Sequence, residues 1–199
     1  MKVGLMGGTF DPIHIGHLIA AQCAGEAMGL DEVWFVPTNV PPHKAQSQGA
    51  GPEQRWDMVR LAVEGHPVFR AKDVELRLGG VSYSIDTVKL LVQQYPGYHF
   101  HYIIGADMVR YLPKWYKIDE LAELVTFIGL GRPGYDAEED SLPESIRRSV
   151  RMTEMPLIDI SSTQIRKRRA LGKPVRYLVP DRVNEYIEVN GLYETRRAD

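Results

Sequence analysis

The sequence predicts an α/β fold, a parallel sheet wound by helices, and three observations carry that prediction. Short apolar and β-branched runs alternate along the chain with stretches of helical spacing, the order expected of βαβ units. The first run ends in Gly7-Gly8 and feeds a helix, the strand-to-helix turn at which α/β sheets bind nucleotides. At 199 residues, 44% hydrophobic and 25% charged, the chain has the apolar material for a core and shows neither a repeat nor a domain-splitting linker. A single domain over residues 1–199, with a helical C-terminal part from about residue 161, is expected.

The elements follow in order. "VGLM" from Val3 is an apolar run stopped by two glycines, a first strand, and helical spacing then runs from His17 to Met28. "VWFVP" from Val33 is β-branched and aromatic, a second strand. Thr38 to Gly51 is rich in Pro, Gly and polar residues and reads as a loop before a helix over Pro52–Glu64. "DVEL" from Asp73 reads as a short strand, Ser84–Gln94 as a helix, and "HFHYIIG" from His99 as a strand. A helix over Lys117–Leu124, the strand "LVTFIGL" and a polar loop from Gly131 to Pro143 come next. The spacing then predicts a helix over Glu144–Val150, the strand "PLIDI" from Pro156, and a helix over Ser161–Leu171 with Ser161 and Gln164 as a capping box. The last helix, Pro180–Asn190, puts Val183, Tyr186 and Ile187 on one face, between Pro180 near its start and Gly191 at its end, for the core or a subunit interface.

Charge and cysteine usage narrow the function. A formal net charge of -2 argues against nucleic-acid binding by bulk positive potential. Cys23 is the single cysteine, so an internal disulfide and a cysteine-rich zinc site are both excluded, and a reducing, cytoplasmic location is expected with Cys23 as a small core residue. "MKVGLMGG" is too short an apolar run for a signal peptide, and no run approaches the ~18 apolar residues of a membrane span.

The chemistry concentrates in "GGTFDPIHIGH", Gly7 to His17. Gly7 and Gly8 allow a phosphate close to the backbone, the free N–H groups at the helix start supply positive potential, and His14, His17 and Thr9 add donors. The stretch lacks the spacing of the dinucleotide fingerprint and of the Walker loop. Nor do His14 and His17, three apart across a turn containing Pro12, match the i, i+4 pair of zinc hydrolases, so no protein-held metal is expected. A second helix start, "ISSTQIR", clusters Ser161, Ser162 and Thr163 one turn before Arg166, and two such ends can clamp one triphosphate. Of the run Arg166-Lys167-Arg168-Arg169, only Arg166 falls in that motif, and the others read as a solvated face.

Together these stretches resemble the nucleotidyltransferase superfamily with H-x-G-H and I-S-S-T-x-I-R signatures, and more closely the bacterial nicotinate-nucleotide adenylyltransferases. The resemblance recurs in "PTNVPPHK", "RWDM", "SYSIDT", "IIGADMVRYLPKWY", "GRPGY" and "YLVPDRVNEYIEVNGLY", in that order along nearly the whole chain. It implies a Rossmann-like doubly wound parallel sheet and transfer of the adenylyl group of ATP to nicotinate mononucleotide, giving nicotinate adenine dinucleotide and pyrophosphate in NAD biosynthesis. It implies Mg²⁺ held mainly by the ATP phosphates, with Asp11 a candidate outer-shell partner. Partners beyond the two substrates are neither nucleic acid nor membrane, and homo-oligomerisation is left open.

By the same resemblance, His14, His17 and Arg166 are catalytic, and Gly7, Gly8, Thr9, Phe10 and Gly16 surround the ATP with them. Ser161, Ser162, Thr163 and Arg166 hold the departing pyrophosphate, Ile160 is a further ATP-binding residue, and Gly105 and Asp107 meet the adenosine, Asp107 serving also as a helix N-cap. Thr9, Asn39, His43, Lys44 and Arg132 are implied around the mononucleotide, with Trp115 stacked on its pyridine and backbone groups near Ser84 and Tyr116 meeting its carboxylate. Where the family usually has Thr in "SYT", this chain has Ser84. The nucleophile is the mononucleotide's own ionised phosphate, so the protein need supply no general base. The alternatives are a pantetheine-phosphate adenylyltransferase, against which "PPHK", "SYS" and "WY" argue, and a nucleotide-sensing module without turnover. A class I aminoacyl-tRNA synthetase, which shares the literal "HIGH", is excluded by chain length and by the lack of a K-M-S-K-S-like loop.

Overall fold

A computed structural model describes residues 1–41, 49–131 and 141–195. Six parallel strands form one sheet in the order β3-β2-β1-β4-β5-β6. They are β1 (Lys2–Gly8), β2 (Glu32–Pro37), β3 (Phe69–Ala71), β4 (His99–Gly105), β5 (Val125–Gly131) and β6 (Val150–Glu154). The chain winds outward from β1 in one direction, then returns to β4 on its other side and winds outward in the opposite direction. This is the doubly wound order, and it opens a crevice at the carboxyl ends of β1 and β4.

The helices are α1 (Ile15–Met28), α2 (Pro52–Val63), α3 (Val74–Leu78), α4 (Ser84–Gln94), α5 (Ala106–Val109), α6 (Ile118–Leu124), α7 (Glu144–Arg147), α8 (Ser162–Ala170) and α9 (Asp181–Val189), with a 3₁₀ turn at Leu112–Lys114. Two stretches differ from the sequence expectation. Val74–Leu78 forms α3, and the neighbouring strand is Phe69–Ala71 instead. Residues 156–160 lie outside any strand, and the sixth strand is Val150–Glu154, at the end of the stretch expected to be helical. In both places a run of a few residues satisfies either period, and pairing decides: β3 finds β2 and β6 finds β5.

Strand alternation divides the core in two. On β1 and β2, Met6, Val33 and Phe35 face α1, α2, α8 and α9, while Val3, Leu5 and Trp34 face α4 and α6. On β5 the same alternation sends Ile128 and Leu130 one way and Val125 and Phe127 the other. Buried on both faces, the central strands are near-continuous apolar runs, which is why they were readable from sequence. Gly29, at φ 58°, ends α1 in the left-handed conformation that a side chain would disfavour. Val183 and Ile187 of α9 are fully buried in the first cluster, as their spacing predicted. Among the described residues no helix is long and apolar enough to cross a membrane.

Candidate active site

A cavity of about 600 Å³ occupies the crevice at the carboxyl ends of β1 and β4. Gly7, Gly8, Thr9 and His17 line it together with Gly105, Ser84, Trp115 and Tyr116. The sequence therefore brings its first phosphate signature and its pyridine-side aromatics into one space. Gly7 meets its neighbour unexpectedly: a Cβ there would stand 2.5 Å from the Tyr102 hydroxyl, so the glycine makes room for a side chain of β4 as well as for a ligand.

The turn leaving β1 is tightly held. Phe10 has φ 48°, an unusual conformation for a residue with a side chain, and Asp11-Pro12 is a cis peptide. Asp11 is 3% exposed, and its Oδ1 accepts from the Ala50 N–H at 2.9 Å and the Tyr193 hydroxyl at 2.8 Å. The carboxylate is thus engaged by the protein itself. Burial, reinforced by the same carboxylate, pushes the Tyr193 hydroxyl far above the usual phenol range.

His14 and His17 stack with ring centroids 3.6 Å apart, and Phe10 closes on His17 edge-on at 5.0 Å. Burial lowers His14 to about 4. His17 is held well below the usual imidazole range by burial and by its neighbour His14, so both rings are neutral. The His14 backbone N–H donates to His17 Nδ1 at 3.2 Å. A neutral ring that accepts at Nδ1 carries its proton on Nε2, which makes Nε2 the donor. His17 lines the cavity, whereas His14 is buried beside it with its Nδ1 unpartnered among the described residues.

The second signature docks directly on the first. Ser162 Oγ donates to the Pro12 carbonyl at 2.9 Å, and Arg166 Nη1 donates to the Asp11 carbonyl at 2.7 Å. Arg166 also reaches back to Thr163 Oγ1 at 3.4 Å. Ser161 caps α8, its hydroxyl accepting the Gln164 N–H at 3.2 Å while Gln164 Oε1 accepts the Ser161 N–H at 3.2 Å, the reciprocal box expected. The N-termini of α1 and α8 are therefore joined through residues 11 and 12. Ile160 packs on the first core cluster, and Gly16 sits against the His14 ring, where a Cβ would come 3.1 Å from Nδ1.

The remaining predicted residues are partly brought together. Ser84 Oγ pairs with the Tyr102 hydroxyl at 3.0 Å, and Trp115 packs edge-on to Tyr102 at 5.7 Å and Phe127 at 6.2 Å. Tyr116 is exposed, its ring 4.7 Å from Tyr83. Asn39 uses its side-chain amide on the Gly80 carbonyl at 3.0 Å and does not line the cavity. Asp107 is exposed in the first turn of α5, and Gly105, not Asp107, is the N-cap there, which corrects the capping expectation. His43, Lys44 and Arg132 lie outside the described residues.

Sequence reasoning missed the residues beneath the cavity. Tyr102 is buried and its hydroxyl is pushed far up by burial and by Glu75. Glu75 is itself buried and raised above the usual carboxylate range by desolvation, although Thr87 Oγ1 donates to its Oε1 at 2.9 Å. Met155 contributes an apolar wall. Tyr102 was legible only as a polar tip in an apolar strand; Glu75 and Met155 carried no local signal. Among the described residues no cluster of three His, Cys, Asp or Glu is placed to hold a metal ion.

The comparisons with known proteins follow this geometry. The cytidylyltransferase-like family matches residues 5–168. The nicotinate-nucleotide adenylyltransferase of Bacillus subtilis is 45% identical over 98% of this chain and 99% of its own. In three dimensions the chain is similar to a Plasmodium falciparum nicotinic acid mononucleotide adenylyltransferase complexed with NaAD, at a TM-score of 0.75 and 20% identity over 96% of this chain and 97% of that one. The same enzyme complexed with APC aligns at a TM-score of 0.73 and 19% identity over 96% of both chains.

Proposed function

The chain belongs to the nicotinate-nucleotide adenylyltransferase family, and from that membership we propose how its site works. The enzyme transfers the adenylyl group of ATP to nicotinate mononucleotide, forming nicotinate adenine dinucleotide and pyrophosphate, a step of NAD biosynthesis. ATP enters with Mg²⁺ as counter-ion to its phosphates. Among the described residues no three carboxylate, imidazole or thiol side chains are gathered to hold the ion, and an ion bound mainly by substrate phosphates and water needs none.

The observation that carries the reading is the junction of two helix N-termini, one of which sends His17 into a cavity that Trp115 and Tyr116 also line. The α-phosphate lies against the Gly7-Gly8-Thr9 turn and His17. The leaving pyrophosphate meets the α8 N-terminus and Arg166, whose position is set by the Asp11 carbonyl. Attack by the mononucleotide phosphate oxygen in line with the leaving group needs no base, so catalysis is positioning plus stabilisation of charge on the α-phosphate, and His17 Nε2–H is the donor aimed at that charge. At the other end, Trp115 stacks on the pyridine. Ser84 is the first residue of the 11-residue helix α4, whose N-terminal N–H groups favour a carboxylate over an amide.

Pyrophosphate release from ATP and Mg²⁺, measured in parallel with nicotinate mononucleotide, nicotinamide mononucleotide and phosphopantetheine, tests the reading. Release fastest with nicotinate mononucleotide is expected. A preference for nicotinamide mononucleotide would overturn the role given to α4, dominance of phosphopantetheine would overturn the acceptor, and silence with all three would leave a binding module.

A further inference from the structure

Arg55 is a guanidinium buried to 3% exposure in the first turns of α2, and neither substrate reading uses it. Its Nη1 donates to the Thr9 carbonyl at 2.7 Å and its Nη2 to the Asn39 carbonyl at 3.1 Å. Thr9 ends the phosphate turn after β1, and Asn39 follows β2. One planar fork therefore spans the two segments, a geometry that an ammonium on a flexible stem does not reproduce. Burial works against its charge, and the nearby Asp11 and Glu75 carboxylates offset part of that cost.

The connection continues beyond Asn39. The Asn39 N–H donates to Ser82 Oγ at 2.9 Å, and the Ser82 N–H donates to the Val40 carbonyl at 2.9 Å, with Val40 bridged to Val81. Two residues later the chain reaches Ser84 and the start of α4. A continuous set of hydrogen bonds thus runs from the phosphate turn, through Arg55, to the segment that leads into the pyridine end of the cavity.

We propose that Arg55 is a positioning residue that couples the two substrate subsites, its fork holding the Thr9 and Asn39 carbonyls so that filling either subsite tightens binding at the other. The proposal rests on the assignment of the two subsites to ATP and nicotinate mononucleotide. Ordering the Thr9 turn around a phosphate fixes one arm of the fork; the other arm then holds Asn39 and Ser82 in place before the second substrate arrives. The entropy of ordering both segments is met once instead of twice.

Calorimetric titration of the wild-type enzyme with α,β-methylene ATP, with nicotinate mononucleotide, and with each in the presence of the other reads the coupling directly. The expected result is that each ligand tightens the other by the same factor, about fivefold or more, as reciprocity demands. In Arg55→Lys, which keeps the charge and loses the fork, the factor falls to about one while each ligand still binds alone. Wild-type protein that binds neither ligand would overturn the subsite assignment. Wild-type protein that binds both without coupling, or Arg55→Lys with the wild-type factor, would overturn the role of Arg55 alone. If Arg55→Lys does not fold, amide exchange in the wild type decides: α,β-methylene ATP by itself should slow the Asn39 and Ser82 amides, and unchanged exchange at both would overturn the link.

Discussion

His17 illustrates how a residue's role comes from what surrounds it. Its partner at Nδ1 is a backbone N–H, so the ring is a fixed neutral donor and not a proton shuttle. His17→Ala should lower kcat by roughly 100-fold or more, the usual consequence of removing one preorganised donor, with little change in melting temperature. A kcat near that of the wild type would remove His17 from the chemistry. Trp115→Ala acts at the other end: the KM for nicotinate mononucleotide should rise by up to about tenfold and that for ATP should hold, the loss expected of one aromatic stack. At this scale the legible residues were those whose types announce phosphate chemistry, such as His14, His17 and Arg166. Arg55, Glu75 and Tyr102 were illegible as site residues because their roles depend on burial and on backbone partners from distant segments, which no local pattern encodes.

At the scale of elements, α8 is the clearest case of local sequence dictating local structure. The Ser161–Gln164 box closes its first turn, and the same end of the helix presents Ser162 and Arg166 to the Asp11-Pro12 segment, with Thr163 accepting from Arg166. Ser161→Ala should destabilise the protein by about 1 kcal/mol, the cost of a lost cap. It should also raise the KM for ATP more than that for the acceptor, because the frayed turn carries the pyrophosphate donors; equal changes in both would separate the cap from the site. Where the sequence misled, at residues 73–76 and 156–160, the runs were too short for period to decide, and the strand positions went to whichever segment completed the sheet edge. The long central strands and α4, whose bounds were predicted as observed, had enough turns or alternations to speak for themselves.

For the whole molecule, burial of imidazoles sets the response to acid. His14, His17, His66 and His101 are all lowered by burial, so between pH 6.5 and the lowered values the unfolded chain binds protons that the folded chain refuses. Their contribution to stability is complete above pH 6.5 and is lost as pH falls through each lowered value, which for His14 is about 4. Glu75, raised by burial, works in the opposite sense, losing stability as pH rises above the carboxylate range. Urea unfolding at pH 7.5 and pH 5 measures the balance: the wild type should lose stability on acidification, and His14→Asn should cut that loss by about 2 kcal/mol. An unchanged loss would mean that His14 titrates normally in the fold. The parallel α/β class was legible from the alternation of runs and the doubly wound arrangement from the family resemblance, whereas the strand order at each edge required the pairing. That order has a further consequence in the time domain. The first strand finds β2 close by, yet its other neighbour begins at His99, paired to Lys2. Closing that long stretch of chain is the slow, entropically expensive search in assembling the sheet. The crevice exists only at the seam between β1 and β4, so nucleotide binding during refolding registers only those chains whose two halves have already met.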